Sequence, residues 1–171
     1  MSSRFTGPIL AVVAAIALLA AAWSSRWLVL ELRTETVNAD VKVGLNELRV
    51  CASTTEAAAC EKAEWRDIPG TSAAGTWTWL ARLTFILCVA TALGLVAVAG
   101  LALAGVELRG SVPLPNIVLR ASLAILPLVG GVYYFTPCAL SQLEAGRGFA
   151  FAIAGAILGA VGAGWRRPVE D

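Results

Sequence analysis

Apolar residues fall in four long runs, and only between the first two is there an extended stretch where polar and apolar positions alternate. The first run, Phe5 to Trp23, contains AVVAAIALLAAAW without a charge. The second extends from about Leu83 to Val106, the third from Ile117 to Phe135 and the fourth from Gly148 to Trp165. Crossing a bilayer takes a helix of about 20 mostly apolar residues, so each run predicts a membrane span. The fourth is the shortest and is expected to reach back through Leu143. With flanking aromatics included, the spans are expected over 5–26, 77–106, 117–135 and 148–165 of one domain. They are joined by a long outer loop (27–75), a cytoplasmic loop (107–116) and a short outer loop (136–147), with a tail over 166–171. Pro127, with Gly130 and Gly131 after it, predicts a kink in the third span.

The alternating stretch reads as strands. Leu28, Leu30 and Leu32 interleave with Val29, Glu31 and Arg33, and Val41, Val43 and Leu45 repeat the period of two. The apolar parity then moves to even numbers at Leu48 and Val50, which requires a bulge or tight turn near Asn46 and Glu47. ASTTEAAA between Cys51 and Cys60 reads as a hairpin connection, Cys60 to Trp65 as a further strand, and Asp67-Ile68-Pro69-Gly70 as a turn. The expected fold is therefore a mainly α membrane protein. It is a four-transmembrane-helix bundle with a small antiparallel β-sheet, of three to five strands, in the first extracytoplasmic loop.

Charge places the loops. Eight of the twelve acids lie between Glu31 and Asp67, while long runs elsewhere carry none. Short loops rich in Arg and Lys stay in the cytoplasm, and Arg4, Arg109, Arg120, Arg166 and Arg167 all fall on one side of a four-span arrangement. Both termini are thus expected in the cytoplasm and the long loop outside, in the plasma (inner) membrane. Trp23, Trp27, Trp77, Trp79, Tyr133 and Tyr134 are expected to mark the outer interface and Trp165 the inner one. The first run resembles a signal peptide, yet only Arg4 precedes it as a charge, so an uncleaved anchor is expected.

Composition narrows the function classes. The chain has 171 residues, 58% hydrophobic and 15% charged, against about 25% charged in ordinary soluble domains. A net charge of +1 argues against a nucleic-acid partner. There is no histidine, which removes the commonest general base and zinc ligand. No Walker, Rossmann, nucleophile-elbow or zinc pattern is present, so neither cofactor nor metal is expected.

The cysteines follow from the orientation. Cys51 and Cys60 would lie outside, where a disulfide persists, and a bridge closing so short a loop is worth roughly 2–3 kcal/mol in the chain-entropy model. That matters for a small module that cannot bury a large core of its own. Cys88 falls inside the second span and Cys138 in the short outer loop.

Topology and loop together resemble the claudin superfamily, which includes tight-junction claudins, peripheral-myelin-protein relatives and calcium-channel gamma subunits. In that group the first loop carries a Trp, then Gly-Leu-Trp, then a pair of cysteines. Here Trp27 stands at the leading position, Gly44 and Leu45 match the Gly-Leu pair, and Cys51 and Cys60 match the bridge. CEKAEWRDIP resembles the family's exit toward the second span. Asn46 replaces the motif tryptophan, and two extra residues precede the first cysteine. The resemblance implies a non-enzymatic structural, assembly or accessory subunit.

Three further features carry candidate chemistry. Cys51, Cys60 and Cys138 could form a membrane thiol-disulfide oxidoreductase, although such enzymes rely on C-x-x-C pairs with a lowered thiol pKa. Arg120, followed by fifteen uncharged residues, is a candidate contact for an anionic lipid or a partner's acid, or simply an arginine reaching the interface. The fourth span has two small-residue ridges, Gly155, Gly159 and Ala163 beside Ala152, Ala156, Ala160 and Gly164, which let helix backbones approach. One ridge is expected to face the bundle and the other a neighbouring subunit or second copy. A sensor or transporter component is the remaining alternative, with no residue pointing to it.

Overall fold

A computed structural model describes residues 3–33, 37–45, 47–54, 58–63, 74–105, 114–135 and 144–164. In chain order these form α1 (Ser3–Trp23), β1 (Leu28–Arg33), β2 (Val37–Val43), β3 (Leu48–Thr54), β4 (Ala58–Ala63), α2 (Ala74–Leu103), α3 (Leu114–Tyr134), β5 (Glu144–Ala145) and α4 (Arg147–Gly164). All four helices are long and apolar enough to cross a membrane.

Boundaries differ from expectation where local hydrogen bonding ends a helix early. The first helix stops at Trp23 instead of reaching residue 26, and Ser24 N–H turns back to the Ala21 carbonyl at 3.2 Å. The second ends at Leu103, followed by Gly105 at φ 74°, the left-handed residue that commonly follows a helix. At its start it gains the turn containing Gly75 and Thr76. α3 includes Pro127 and runs as one helix from Leu114 to Tyr134.

The helices pack in antiparallel pairs, and glycines set the closest approaches. A Cβ at Gly155 would meet Leu18, and one at Gly162 would meet the Ala11 backbone at 2.9 Å, so α1 and α4 run antiparallel. Gly94 faces Val118 and Gly131 faces Leu80, which sets α2 against α3. Gly159 meets Ser122 of α3 and Leu95 of α2. Buried alanines (Ala11, Ala14, Ala15, Ala81, Ala92, Ala152, Ala156) fill the space between helices, with Leu18, Leu95, Ile125 and Val129 among them. Thr91 and Ser122 are buried there with unpaired hydroxyls. Ser3 and Gly164 lie at the end away from the sheet.

The sheet has five strands in the order β4-β3-β2-β1-β5, all antiparallel. The parity change arises in the connection between β2 and β3. Val43 is paired with Leu48, an odd position with an even one, across a turn closed by Gly44 N–H to the Glu47 carbonyl at 2.8 Å. Paired residues share a face, so Leu28, Leu30, Val41, Val43 and Val50 lie on one side, and Lys42, Arg49, Lys62, Cys51 and Cys60 on the other. At the row nearest the helices, Leu28 and Val43 are fully buried. The expected sheet within the first loop needs correction. Its fifth strand, Glu144–Ala145, comes from the second loop and pairs with Leu28 and Val29.

Candidate functional site

The sheet is joined to the helices around Trp27. Its N–H donates to the Val43 carbonyl (2.8 Å), and its own carbonyl accepts from Gly146 N–H (2.8 Å). Gly148 N–H donates to the Arg26 carbonyl at 2.9 Å. One short segment thus binds β2, β5 and the start of α4. These approaches require glycine. A Cβ on Gly146 would fall onto the Arg26 carbonyl, and one on Gly148 would lie 2.6 Å from Trp27 Cδ1.

The Trp27 side chain contradicts the expectation of an interfacial belt residue. It is fully buried, and its Nε1–H donates to the Ala21 carbonyl at 2.6 Å. Ala21 lies in the last turn of α1, where carbonyls lack helical partners. Trp77 does the same across the molecule: it too is fully buried, and its Nε1–H donates to the Val132 carbonyl near the end of α3 at 3.0 Å. Each indole therefore caps a helix that ends at the sheet. Trp23 and Trp79 (each 67% exposed) and Tyr134 (79%) remain outward, as expected of a belt.

Gly44 and Leu45 belong to the same junction. Gly44 is pressed against the Ser24 carbonyl, where a Cβ would lie at 3.0 Å, and Leu45 is buried. Three of the five residues that carry the family resemblance, Trp27, Gly44 and Leu45, thus form the seat of the sheet. Asn46, Trp65, Cys138, Trp165, Arg166 and Arg167 lie outside the described residues.

The sheet's outer part is cross-linked in two ways. Cys51 and Cys60, directly paired across β3 and β4, form a disulfide with Cα atoms 4.1 Å apart. Beside it runs a row of ions: Lys42 pairs with Asp40, and Arg49 (2.6 Å) and Lys62 (3.4 Å) both pair with Glu47. Partial burial pushes the Glu47 carboxyl up, but hydrogen bonds and charge from Arg49 and Lys62 outweigh it and hold its pKa below the ordinary 4.5.

The narrow Cα spacing makes Cys51–Cys60 a pair that exchanges no backbone hydrogen bonds. By alternation, the N–H and C=O groups of Ala58, Cys60 and Lys62 point away from β3. Among the described residues, no strand pairs with that edge of β4.

No family model matches the chain, and no curated protein does.

The remaining candidates are dispersed. Ala152, Gly155, Ala156 and Gly159 are buried among the helices, together with Gly162, which the ridge pattern missed. Ala160 and Ala163 are half-buried and Gly164 exposed. Residues from both ridges thus contribute to one inward face, because a spacing of four drifts around a helix of 3.6 residues per turn. Arg120 is exposed on the second turn of α3, far from the sheet. Cys88 is buried in α2. No group of three or more metal-ligating side chains exists among the described residues. Sequence reading also missed Gly146, Gly148 and the inward turn of Trp77. The only signal was the Gly-Arg-Gly run at 146–148.

Proposed function

We propose that this chain is a non-enzymatic, multi-pass membrane protein that acts as a structural, assembly or accessory subunit. In this reading its four apolar helices span the bilayer as a bundle with both termini cytoplasmic, and the sheet stands outside as a docking platform. The observation that carries it is the combination of a disulfide-locked sheet and an edge of β4 that, among the described residues, no strand pairs with. Such an edge can accept a strand from another protein by backbone pairing, and a rigid platform loses little entropy in doing so. The likeness to the claudin superfamily in Trp27, Gly44, Leu45, Cys51 and Cys60 supports the same role. The exposed residues of α4, Phe151, Ile157 and Val161, offer a lateral surface to lipid or to a second subunit.

Native mass spectrometry from mild detergent tests the proposal. The expected result is a fixed-stoichiometry complex with a companion subunit or a second copy. Lys62→Pro should weaken it, because that N–H points outward and its loss spares the β3–β4 ladder. A chain that is always solitary, and that cycles the Cys51–Cys60 bridge with a quinone acceptor, would instead establish the thiol oxidoreductase reading.

A further inference from the structure

Among the described residues, the buried polar side chains of the helices are Thr84, Thr91 and Ser122. Thr84 shows the ordinary way to satisfy such a group: its Oγ1 donates back to the Leu80 carbonyl at 2.7 Å, one turn earlier on α2. Thr91, two turns further along α2, and Ser122 on α3 do not do this. They are 2% and 0% exposed, and neither hydroxyl has a hydrogen-bond partner among the described residues.

Helix register brings these two hydroxyls to one level of the bundle. α2 and α3 run antiparallel and touch at Gly94, where a Cβ would lie 2.7 Å from Val118 Cγ2. One turn toward the sheet from that contact stand Thr91 on α2, three residues earlier, and Ser122 on α3, four residues later. Residues three and four apart share a helix face, so each stands on the face that makes the contact. α4 marks the same level from the third side. Ser122 Oγ and Leu95 Cδ1 lie 2.9 and 3.1 Å from the Cβ position of Gly159, hence no more than 6.0 Å from each other. Leu95 follows Thr91 by four residues on that face, and a helical leucine leans toward the preceding turn, here the turn of Thr91.

We propose that Thr91 and Ser122 form a binding site for a single water molecule that bridges α2 and α3. An unpaired buried hydroxyl is costly, and one shared water relieves that cost on two helices at once. Buried waters make about three hydrogen bonds to groups otherwise left unsatisfied, and each hydroxyl can donate or accept. The surroundings select so small a ligand, because not even a methyl fits at Gly94 or Gly159 without displacing a neighbour. They also supply no group of three metal-ligating side chains among the described residues. The water joins α2 to α3 by directional bonds where the neighbouring contacts are alkyl packing alone. The inference concerns the bundle and is independent of the docking role proposed above.

The test is a double-mutant cycle on the full chain in detergent, with Thr91→Val, Ser122→Ala and both together, read as the folding equilibrium constant. Each single change removes one hydroxyl and orphans the other, so each should lower the constant by about 5- to 30-fold. The double variant removes both groups and should be no worse than either single one. Single changes that are neutral or stabilising overturn the site, because they mark hydroxyls that were never joined. Losses that simply multiply in the double variant overturn it as well. A crystal structure of the unaltered chain, at a resolution that shows ordered waters, gives a readout that needs no variant to fold. It should place one water at about 2.7–3.0 Å from both oxygens. Hydroxyls bonded directly to each other, or back to helix carbonyls with no water between them, would refute the proposal.

Discussion

Replacing Trp27 and Gly148 singly and together tests whether the sheet is seated by an indole held in a glycine notch. Trp27→Phe keeps a buried aromatic ring but removes the donor to the Ala21 carbonyl. Ser24 N–H still reaches that carbonyl at 3.2 Å, so the cost should be near the low end for a buried hydrogen bond, about 1 kcal/mol. Gly148→Ala places a methyl 2.6 Å from Trp27 Cδ1, 2.8 Å from Nε1 and 3.0 Å from Ser24 Cβ, all short of ordinary contact. Overpacking of that degree costs about 1–3 kcal/mol, offset in part by alanine's better helix propensity, at most about 1 kcal/mol. The atoms struck belong mainly to the pyrrole edge of the indole, which phenylalanine lacks. The double variant should therefore be little worse than Trp27→Phe alone, a coupling of about 1–2 kcal/mol. Unfolding in detergent, followed by far-UV circular dichroism so that loss of a tryptophan does not bias the signal, measures all four corners of the cycle. If the two single costs add to within about 0.5 kcal/mol, the notch does not hold the indole and the account of the seat is wrong.

Other perturbations probe separate parts. Cys51→Ser with Cys60→Ser should cost roughly 2–3 kcal/mol of sheet stability, but hydrogen exchange should still show β2 paired to β3, because that ladder has its own seven-residue register. Gly155→Leu forces a large side chain into Leu18, where even a Cβ lies at 2.8 Å. It should separate α1 from α4, detectable as lost cross-linking between engineered cysteines on those helices. Glu47 has a folded pKa below its ordinary 4.5, so its pairs with Arg49 and Lys62 add stability above about pH 4.5 and lose it as pH falls through the lowered folded value. The pairs are partly exposed, so the effect should stay under about 1 kcal/mol, and an acid titration of Glu47→Gln that retains the same slope would contradict it.

The helices and the strands of the first loop were legible because each rests on a local pattern: unbroken apolar runs, and period two between Leu28 and Val50. The bridge was legible from two cysteines in one exposed, stranded stretch. β5 was not, since two residues carry no periodicity and Glu144–Ala145 is a strand only because Leu28 and Val29 lie beside it. Nor was the direction of Trp27 and Trp77. A tryptophan near the end of an apolar run reads as an interface residue until an unsatisfied helix carbonyl is found within reach of its indole nitrogen. The ridges of α4 were visible as small residues, but their sharing of one inward face depends on where α1 and α3 lie.

The β1–β5 rung makes completion of the sheet depend on the order of synthesis. Residues 28–63 leave the ribosome long before Glu144, so the nascent platform must wait, with one flank unfinished, until the last hydrophobic segment has been delivered. A product truncated after α3 would expose that flank together with the vacant side of α1. Quality-control machinery could thus distinguish a finished chain from a fragment by a single missing rung.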